Sequence, residues 1–192
     1  PSRVQKVIRE SLAKGADRGI HIEEQDELLK DPLAIAKLFA QTLREEQFDL
    51  IFTGLQSDDT GMGQTGVLLG ELLGMPTATL VIETEIHDDA IRVKRELESG
   101  WFQWIKLPLP SSISIQSGLN TPRYPSLKGI MGAKRKEIRN IAVSNLNATA
   151  QNQLIKNVFI PQTSKQTEFV EGDSEQVVER IISILKSDIK VI

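Results

Sequence analysis

The sequence predicts an α/β fold: a mostly parallel sheet with helices on its faces, an added antiparallel hairpin and an irregular C-terminal arm. Three observations predict it. Phe48 to Pro76 reads as a buried strand, a glycine-rich loop and a helix. Strand-like and helix-like runs alternate as far as Ile82, the order that gives parallel strands with crossover helices. From Glu83 the pattern changes to two strand-like runs joined by a tight turn.

Each element follows from its residues. Ser2 to Lys14 is a helix with Val4, Val7, Ile8 and Leu12 at helical spacing, ending at Gly15. Gly19 to Ile22 is a short strand, and Glu23 to Lys30 an acidic loop. Asp31 is the expected N-cap of the next helix, with Pro32 at its first position. Leu33, Ala36, Phe39, Ala40 and Leu43 form its apolar face. Phe48 to Thr53 has the length and composition of a buried strand. In the helix after the glycine loop, Val67, Leu68, Leu69, Leu72 and Leu73 recur at helical spacing, and Gly74 with Pro76 stops it. Gly66 and Gly70 share one face of that helix and would let it sit close to a sheet. Thr77 to Ile82 is a strand. Ile91 to Leu97 and Trp101 to Leu107 make a hairpin through Glu98, Ser99 and Gly100, and Ser112 to Ile115 is a further strand beside this addition. Leu127 to Lys136 reads as a short helix, and Ile138 to Val143 as a strand. Ser144 to Lys165 is rich in Asn, Gln and Thr without periodicity. Ser174 then caps a last helix that buries Val177, Val178, Ile181, Ile182 and Leu185. The expected division is a nucleotide-binding α/β domain over residues 1–143 and an arm with its helix over 144–192.

Composition excludes several classes. Net charge is −3, which gives no general case for nucleic-acid or membrane binding. Cysteine is absent, so there is neither a disulfide nor a thiolate metal site. His21 and His87 lie far apart and suggest neither a zinc site nor a catalytic pair. No apolar run approaches the roughly 18 residues of a membrane span, and no signal peptide appears. The expected location is the cytoplasm of a bacterium or the matrix of an organelle such as the mitochondrion. The chain opens at Pro1 straight into a helix, an unusual start for a sheet protein, so the expectation is a fragment without its first strands.

Chemistry concentrates in two stretches. Between Gly54 and Thr65 the sequence is G-L-Q-S-D-D-T-G-M-G-Q-T. A glycine loop running into a helix N-terminus offers exposed N–H groups and the positive end of the helix dipole to an anion. Gln56, Ser57, Asp58, Asp59, Gln64 and Thr65 add groups able to bond a sugar, a base or a phosphate. Turn geometry alone also selects Gly and Asp, and neither G-x-G-x-x-G nor G-x-x-x-x-G-K-[ST] is met. The pattern by itself leaves a plain turn and a nucleotide site both open. The second stretch is Gln116 to Lys136. Pro122 and Pro125 break regular structure, and Leu119, Tyr124 and Leu127 are apolar on what reads as an exposed loop, the mark of a contact surface. Lys134, Arg135 and Lys136 sit at a helix C-terminus, where basic residues suit the dipole. In the hairpin, Arg95 shares the parity of Ile91, Val93 and Leu97, whereas Glu96 shares that of Arg92 and Lys94. Cross-strand charge pairing on a solvated face is the plain account of those charges.

Three stretches together resemble the beta (small) subunit of electron-transfer flavoproteins. They are G-A-D-R-G-I-H-I from Gly15, G-L-Q-S-D-D-T-G-M-G-Q-T-G from Gly54, and V-K-R-E-L-E-S-G with L-N-T-P-R-Y-P-S-L-K-G-I-M-G-A-K-R-K. Their order and spacing fit that family along essentially the whole chain, apart from the family's opening segment, which contributes its first strands and some adenylate and flavin contacts. The resemblance implies a three-layer α/β domain of adenine-nucleotide-binding type, with an arm that wraps a larger alpha subunit. It implies a shuttle without side-chain catalysis of its own, taking electrons from acyl-CoA and other flavoprotein dehydrogenases, as in fatty acid oxidation, to a quinone oxidoreductase. FAD would lie mainly on the alpha subunit. One structural AMP would sit on the loop Gly54, Leu55, Gln56, Ser57, Asp58, Asp59, Thr60, Gly61, Met62, Gly63, Gln64 and Thr65. Electron-bifurcating relatives carry a second FAD there, on a loop resembling A-I-D-G-D-T-A-Q-V-G-P; this chain looks more like the AMP type. Arg95 and Glu96 would face the alpha subunit. Leu119, Asn120, Pro122, Arg123 and Tyr124 would form the recognition loop, with Leu119 as its anchor. Two rival readings are an adenylating enzyme of related architecture and a stress-type nucleotide-binding regulator. The missing catalytic lysine speaks against the first, and the hairpin with the L-N-T-P-R-Y loop against the second.

Overall fold

The computed structural model describes residues 2–24, 31–147, 153, 156–161, 167 and 169–191. The chain divides into two compact units, Pro1–Ile155 and Lys156–Ile192. In the first unit the order is α1 (Ser2–Ala13), β1 (Gly19–Glu23), α2 (Pro32–Leu43), β2 (Leu50–Gly54), α3 (Thr65–Leu72), β3 (Thr77–Ile86), β4 (Ala90–Glu96), β5 (Phe102–Pro108), β6 (Ser111–Ile115), α4 (Leu127–Ala133) and β7 (Ile138–Ala142). The α/β class holds, and the strands lie in two sheets. β1 pairs in parallel with β7, and the other five run β2-β6-β3-β4-β5.

β6 is not part of the antiparallel addition beside which its sequence places it. It sits between β2 and β3 and is parallel to both. The hairpin β4–β5 carries the chain out from β3 and back into the sheet between β2 and β3. β3 runs on to Ile86, four residues past its expected end, because its second half pairs with β4. The joint between its parallel and antiparallel halves is a bulge. Register shifts on both sides of it, and Leu80 has φ 60°.

One core cluster joins Ala78, Val81, Ile91, Val93 and Ile113, the inner faces of β3, β4 and β6. A second joins Ala36, Ala40 and Leu69, where α2 meets α3. α2 buries more than its expected stripe: Ala34, Leu38 and Thr42 are buried as well, while Phe39 remains exposed. Its cap is as expected, Asp31 accepting from Ala34 N–H at 2.7 Å.

Gly66 and Gly70 do what their spacing suggests. A Cβ on Gly66 would collide with the Thr53 side chain, and one on Gly70 with Thr77 and Ser112. Thr53 and Ser112 lie on one face of the sheet by the β2–β6 register, so α3 rests on small side chains of three strands. The hydroxyls of Ser112 and Ser114 are buried there without a hydrogen-bond partner among the described residues, a cost that the close approach must offset.

α1 and α4 cap one another. Arg9 donates to the carbonyls of Ala133 and Lys136, and Lys136 Nζ donates to those of Leu12 and Ala16. Lys136 thus serves the C-terminus of α1, not that of its own helix; Lys134 and Arg135 stay exposed.

In the second unit α5 (Ser174–Ser183) is capped by Asp173, one residue before the expected Ser174, because Asp173 and Gln176 form a reciprocal capping box. A π-helical turn, Ile184–Ile189, follows. The apolar face expected to be buried is not: Val178, Ile181 and Ile182 are exposed, and no residue of α5 is buried. So short a unit has no core of its own to cover that face. Parts of the acidic loop (25–30) and of the irregular arm (148–152, 154–155, 162–166) lie outside the described residues. Among the described residues no helix is long and apolar enough to cross a membrane.

The helix–sheet contact gives a direct test. Gly66→Ala and Gly70→Ala should each cost about 1–3 kcal/mol by overpacking, read as a lower urea midpoint. Gly132→Ala, whose Cβ would meet nothing within 4 Å, should leave the midpoint unchanged or raise it slightly.

Candidate functional site

The glycine loop leaves the C-terminal end of β2 and enters α3. Gly61 and Gly63 take φ of 58° and 63°, a left-handed geometry that favours glycine. Between them and β2 a small hydrogen-bonded turn forms. Gly61 N–H donates to Ser57 C=O at 3.0 Å, the Ser57 and Thr60 hydroxyls lie 3.0 Å apart, and Thr60 N–H donates to Asp59 Oδ1 at 2.7 Å. The Ser57 hydroxyl first, and the Thr60 N–H second, hold the Asp59 carboxyl below its ordinary pKa. A depressed carboxylate supports the turn above its ordinary pKa, and that support is lost as the pH falls through the depressed value.

The N-cap of α3 is Gln64, and its side chain makes no capping bond. Among the described residues the first N–H groups of α3 have no side-chain acceptor, and they stand at the positive end of the helix dipole. This donor set fits a single phosphate dianion. It lacks the lysine that a triphosphate-handling loop carries.

Gly54, Leu55, Gln56, Ser57, Thr60, Met62, Gly63, Gln64 and Thr65 line one cleft of about 840 Å³. Its apolar walls come mainly from β1 (Ile20, Ile22), α2 (Ile35, Phe39) and β2 itself (Ile51, Phe52), and Asp31 and Gln153 line it as well. Asp58, Asp59 and Gly61 lie on the exposed outer bend and do not line it. Sequence reading missed the apolar walls, because only the crossing of β1, α2 and β2 brings them to the loop. Among the described residues no group of three or more His, Cys, Asp or Glu could hold a metal. His21 is buried with Nδ1 3.2 Å from Asn140 Oδ1, its cross-strand neighbour.

Arg95 and Glu96 do different things. Arg92 pairs with Glu85 at 2.9 Å and Lys94 with Glu83 at 3.5 Å, and both cations lie over aromatic rings of β5. That face is the cross-strand charged ladder expected there. Arg95 points the other way. Its Nε donates to Thr79 C=O at 2.8 Å and a terminal nitrogen to Thr79 Oγ1 at 2.9 Å, so it braces the Leu80 bulge. Glu96 is half-buried, and among the described residues its carboxylate has no hydrogen-bond or ion-pair partner. Beside it, Leu80, Leu97, Glu98 and Trp101 line a shallow notch at the hairpin tip.

The second stretch forms an exposed loop and a short helix. Asn120, Pro122, Arg123 and Tyr124 are exposed, and Leu119 is half-buried. Arg123 reaches Gly15 at the end of α1. Ser126 caps α4, accepting from Gly129 N–H at 3.0 Å. The first residue of α4, Leu127, is 82% exposed, and Met131, one turn on, is also exposed. Of the apolar side chains here, Leu127 is more available for contact than Leu119.

Residues 1–146 match the family model described as the electron transfer flavoprotein domain. The chain belongs to the electron transfer flavoprotein family. It is 32% identical to the electron transfer flavoprotein subunit beta of Bacillus subtilis, over 98% of this chain and 75% of that protein. It is 33% identical to the mouse subunit beta over 97% of this chain and 72% of that one, and 29% identical to the subunit beta of Methylophilus methylotrophus over 96% and 73%. This electron transfer flavoprotein chain is thus on the beta-subunit side of its family, and it spans about three quarters of those relatives' length.

Removing the brace should separate the two neighbours on β4. Arg95→Met should lower stability by roughly 1–3 kcal/mol, the worth of hydrogen bonds from a charged group. Glu96→Gln should leave the urea midpoint where it is. A midpoint that falls equally for both would mean that Glu96 also has a partner inside this chain.

Proposed function

We propose that this chain is the beta subunit of a heterodimeric electron transfer flavoprotein and holds one AMP on the loop from Gly54 to Thr65. The observation that carries this is the uncapped N-terminus of α3, opening with the glycine loop into an otherwise apolar cleft. A monophosphate would take the free N–H groups of α3, with Ser57, Thr60 and Gln64 in reach of the sugar. FAD, held mainly by an alpha subunit, supplies the redox chemistry when bound. The side chains of this chain bind and orient without taking part in catalysis.

Electrons come from acyl-CoA or other flavoprotein dehydrogenases and leave to a quinone oxidoreductase. Glu96, half-buried and with no ion-pair partner among the described residues, suits a cation of the alpha subunit. Arg95 shapes the strand beneath it. The loop from Leu119 to Tyr124, continued by Leu127 on α4, is the dehydrogenase-docking surface. Weak electron-transfer encounters use small interfaces, so one or two aliphatic side chains carry much of the contact.

Three measurements test this reading. Denaturing the reconstituted heterodimer should release one FAD and one AMP; two FAD and no AMP would place the chain with the bifurcating type. Glu96→Gln should weaken association with the alpha subunit, seen as a larger Kd by calorimetry, with stability unchanged. Leu127→Ala should weaken electron transfer from dehydrogenases by one to two decades, the equivalent of about 1.5–3 kcal/mol for a buried leucine. Leu119→Ala, by contrast, should divide its effect between docking and thermal stability because Leu119 is already half-buried. Full activity in both leucine variants would remove this loop from the docking surface.

A further inference from the structure

Helix α4 is pinned to α1 along one face. A Cβ on Gly129 would collide with the main-chain carbonyl of Ala13, and Ala133 is buried. Arg9 of α1 donates to Ala133 C=O. Gly129 and Ala133 are four residues apart and share that face. Leu127 and Met131, also four apart, stand about 200° round the helix from it. Leu127 is 82% exposed and Met131 71%. Rolling α4 to bury either side chain would lift Gly129 from the end of α1 and break the Arg9 bond. The exposure of both is therefore fixed by the packing of the opposite face.

Met131 carries what Leu127 lacks, a thioether sulfur. The chain has no cysteine and three methionines, so no thiol reacts ahead of the thioethers. Met75 is buried, and Met62 is 42% exposed on the wall of the cleft. Met131 is the most accessible of the three, and a Cβ on the adjoining Gly132 would meet nothing within 4 Å. A methionine on a contact surface suits several partners, because its unbranched side chain repacks easily. The same sulfur makes the contact convertible.

We propose that Met131 is a reversible oxidation site, and that its sulfoxide weakens the docking surface. The oxidant is hydrogen peroxide. A sulfur lone pair attacks one peroxide oxygen, the O–O bond breaks and an S–O bond forms. The second oxygen takes the proton of the first and leaves as water. Sulfur loses two electrons and the peroxide gains them. The product side chain is polar, and a thiol-dependent methionine sulfoxide reductase reverses the change. In the free protein Met131 lies in solvent, so the added oxygen is hydrated and the fold is untouched. In a docked complex the same oxygen would lose that hydration against an apolar partner. The effect on docking rests on the reading of Leu119 to Leu127 as the docking surface.

The reconstituted heterodimer is treated with dilute hydrogen peroxide. Peptide mass spectrometry should show Met131 gaining oxygen first among this chain's methionines, Met62 later and Met75 last. Electron transfer from a dehydrogenase should then slow by about tenfold, the order set by losing one buried apolar side chain, with the urea midpoint unchanged. Methionine sulfoxide reductase with dithiothreitol should restore the rate. The alpha subunit's methionines are oxidised in the same treatment, so Met131→Leu is the comparison. Its treated rate should stay close to its own untreated rate. Met131→Gln, polar and of similar length, should be slow before any treatment. Oxidation of Met62 ahead of Met131, or an equal fall in treated Met131→Leu, would overturn the inference. If Leu127→Ala is slow while the Met131 sulfoxide is not, the docking reading stands and only the oxidation site is lost. If Leu127→Ala and Met131→Gln both keep the full untreated rate, the docking reading fails and takes this inference with it.

Discussion

The first unit depends on how closely α3 can approach the sheet. Gly66 and Gly70 remove the side chains that would hold the helix off, and Thr53, Thr77 and Ser112 offer only small groups beneath it. That contact fixes the helix at the ends of β2, β6 and β3 together. It also fixes where the first N–H groups of α3 stand, because the helix can neither roll nor lift without opening a gap above Ser112. The glycine loop therefore inherits its geometry from packing in the first two turns of the helix it enters. A loop of glycines is pliable by itself; anchored at β2 on one side and at a tightly seated helix on the other, it becomes a preorganised cradle.

A second constraint lies at the other end of β3. One strand serves a parallel neighbour in its first half and an antiparallel one in its second. The change of partner needs an irregularity, and Thr79–Leu80 supplies it. Arg95 binds both the carbonyl and the hydroxyl of Thr79, so a charged side chain on the inner parity of β4 stabilises the bulge instead of pairing with solvent. The Glu83–Lys94 and Glu85–Arg92 ladder on the opposite parity is ordinary surface chemistry. Glu96 shares that parity but lacks an acidic or basic neighbour across the strand, since it lies opposite Phe102. The neighbouring residues Arg95 and Glu96 thus divide into a structural group and an available one, purely by which way the strand points them.

Polar ties hold the rest in place. Glu46 bonds both Arg18 and Arg139, linking the residues just before β2 to the two-stranded sheet. Arg9 and Lys136 fasten α1 to α4 through four main-chain carbonyls. The Glu46 bonds tie the small sheet to the start of β2, although among the described residues no strand pairs the two sheets. The cleft between them is wide and apolar as a consequence, with the glycine loop at one end.

The sequence alone determined the elements whose signals are local. Caps such as Asp31 and turns such as Glu98–Gly100 depend on neighbouring residues, and so does the paired-glycine face of α3. Those could be read directly, as could the family, from three motifs in order. Tertiary structure decided whatever depends on partners distant in the chain. Ser111–Ile115 is central because the hairpin returns it between β2 and β3, which five serine and isoleucine residues cannot announce. Arg95 became a brace because a bulge sixteen residues earlier in the chain needed acceptors satisfied. Leu119 and Leu127 look alike on paper, and only the start of α4 at Leu127 leaves one exposed and the other half-covered. The side-chain period of an element can be read from its own residues, but the surface it meets is set by the strand or helix that the rest of the chain brings there.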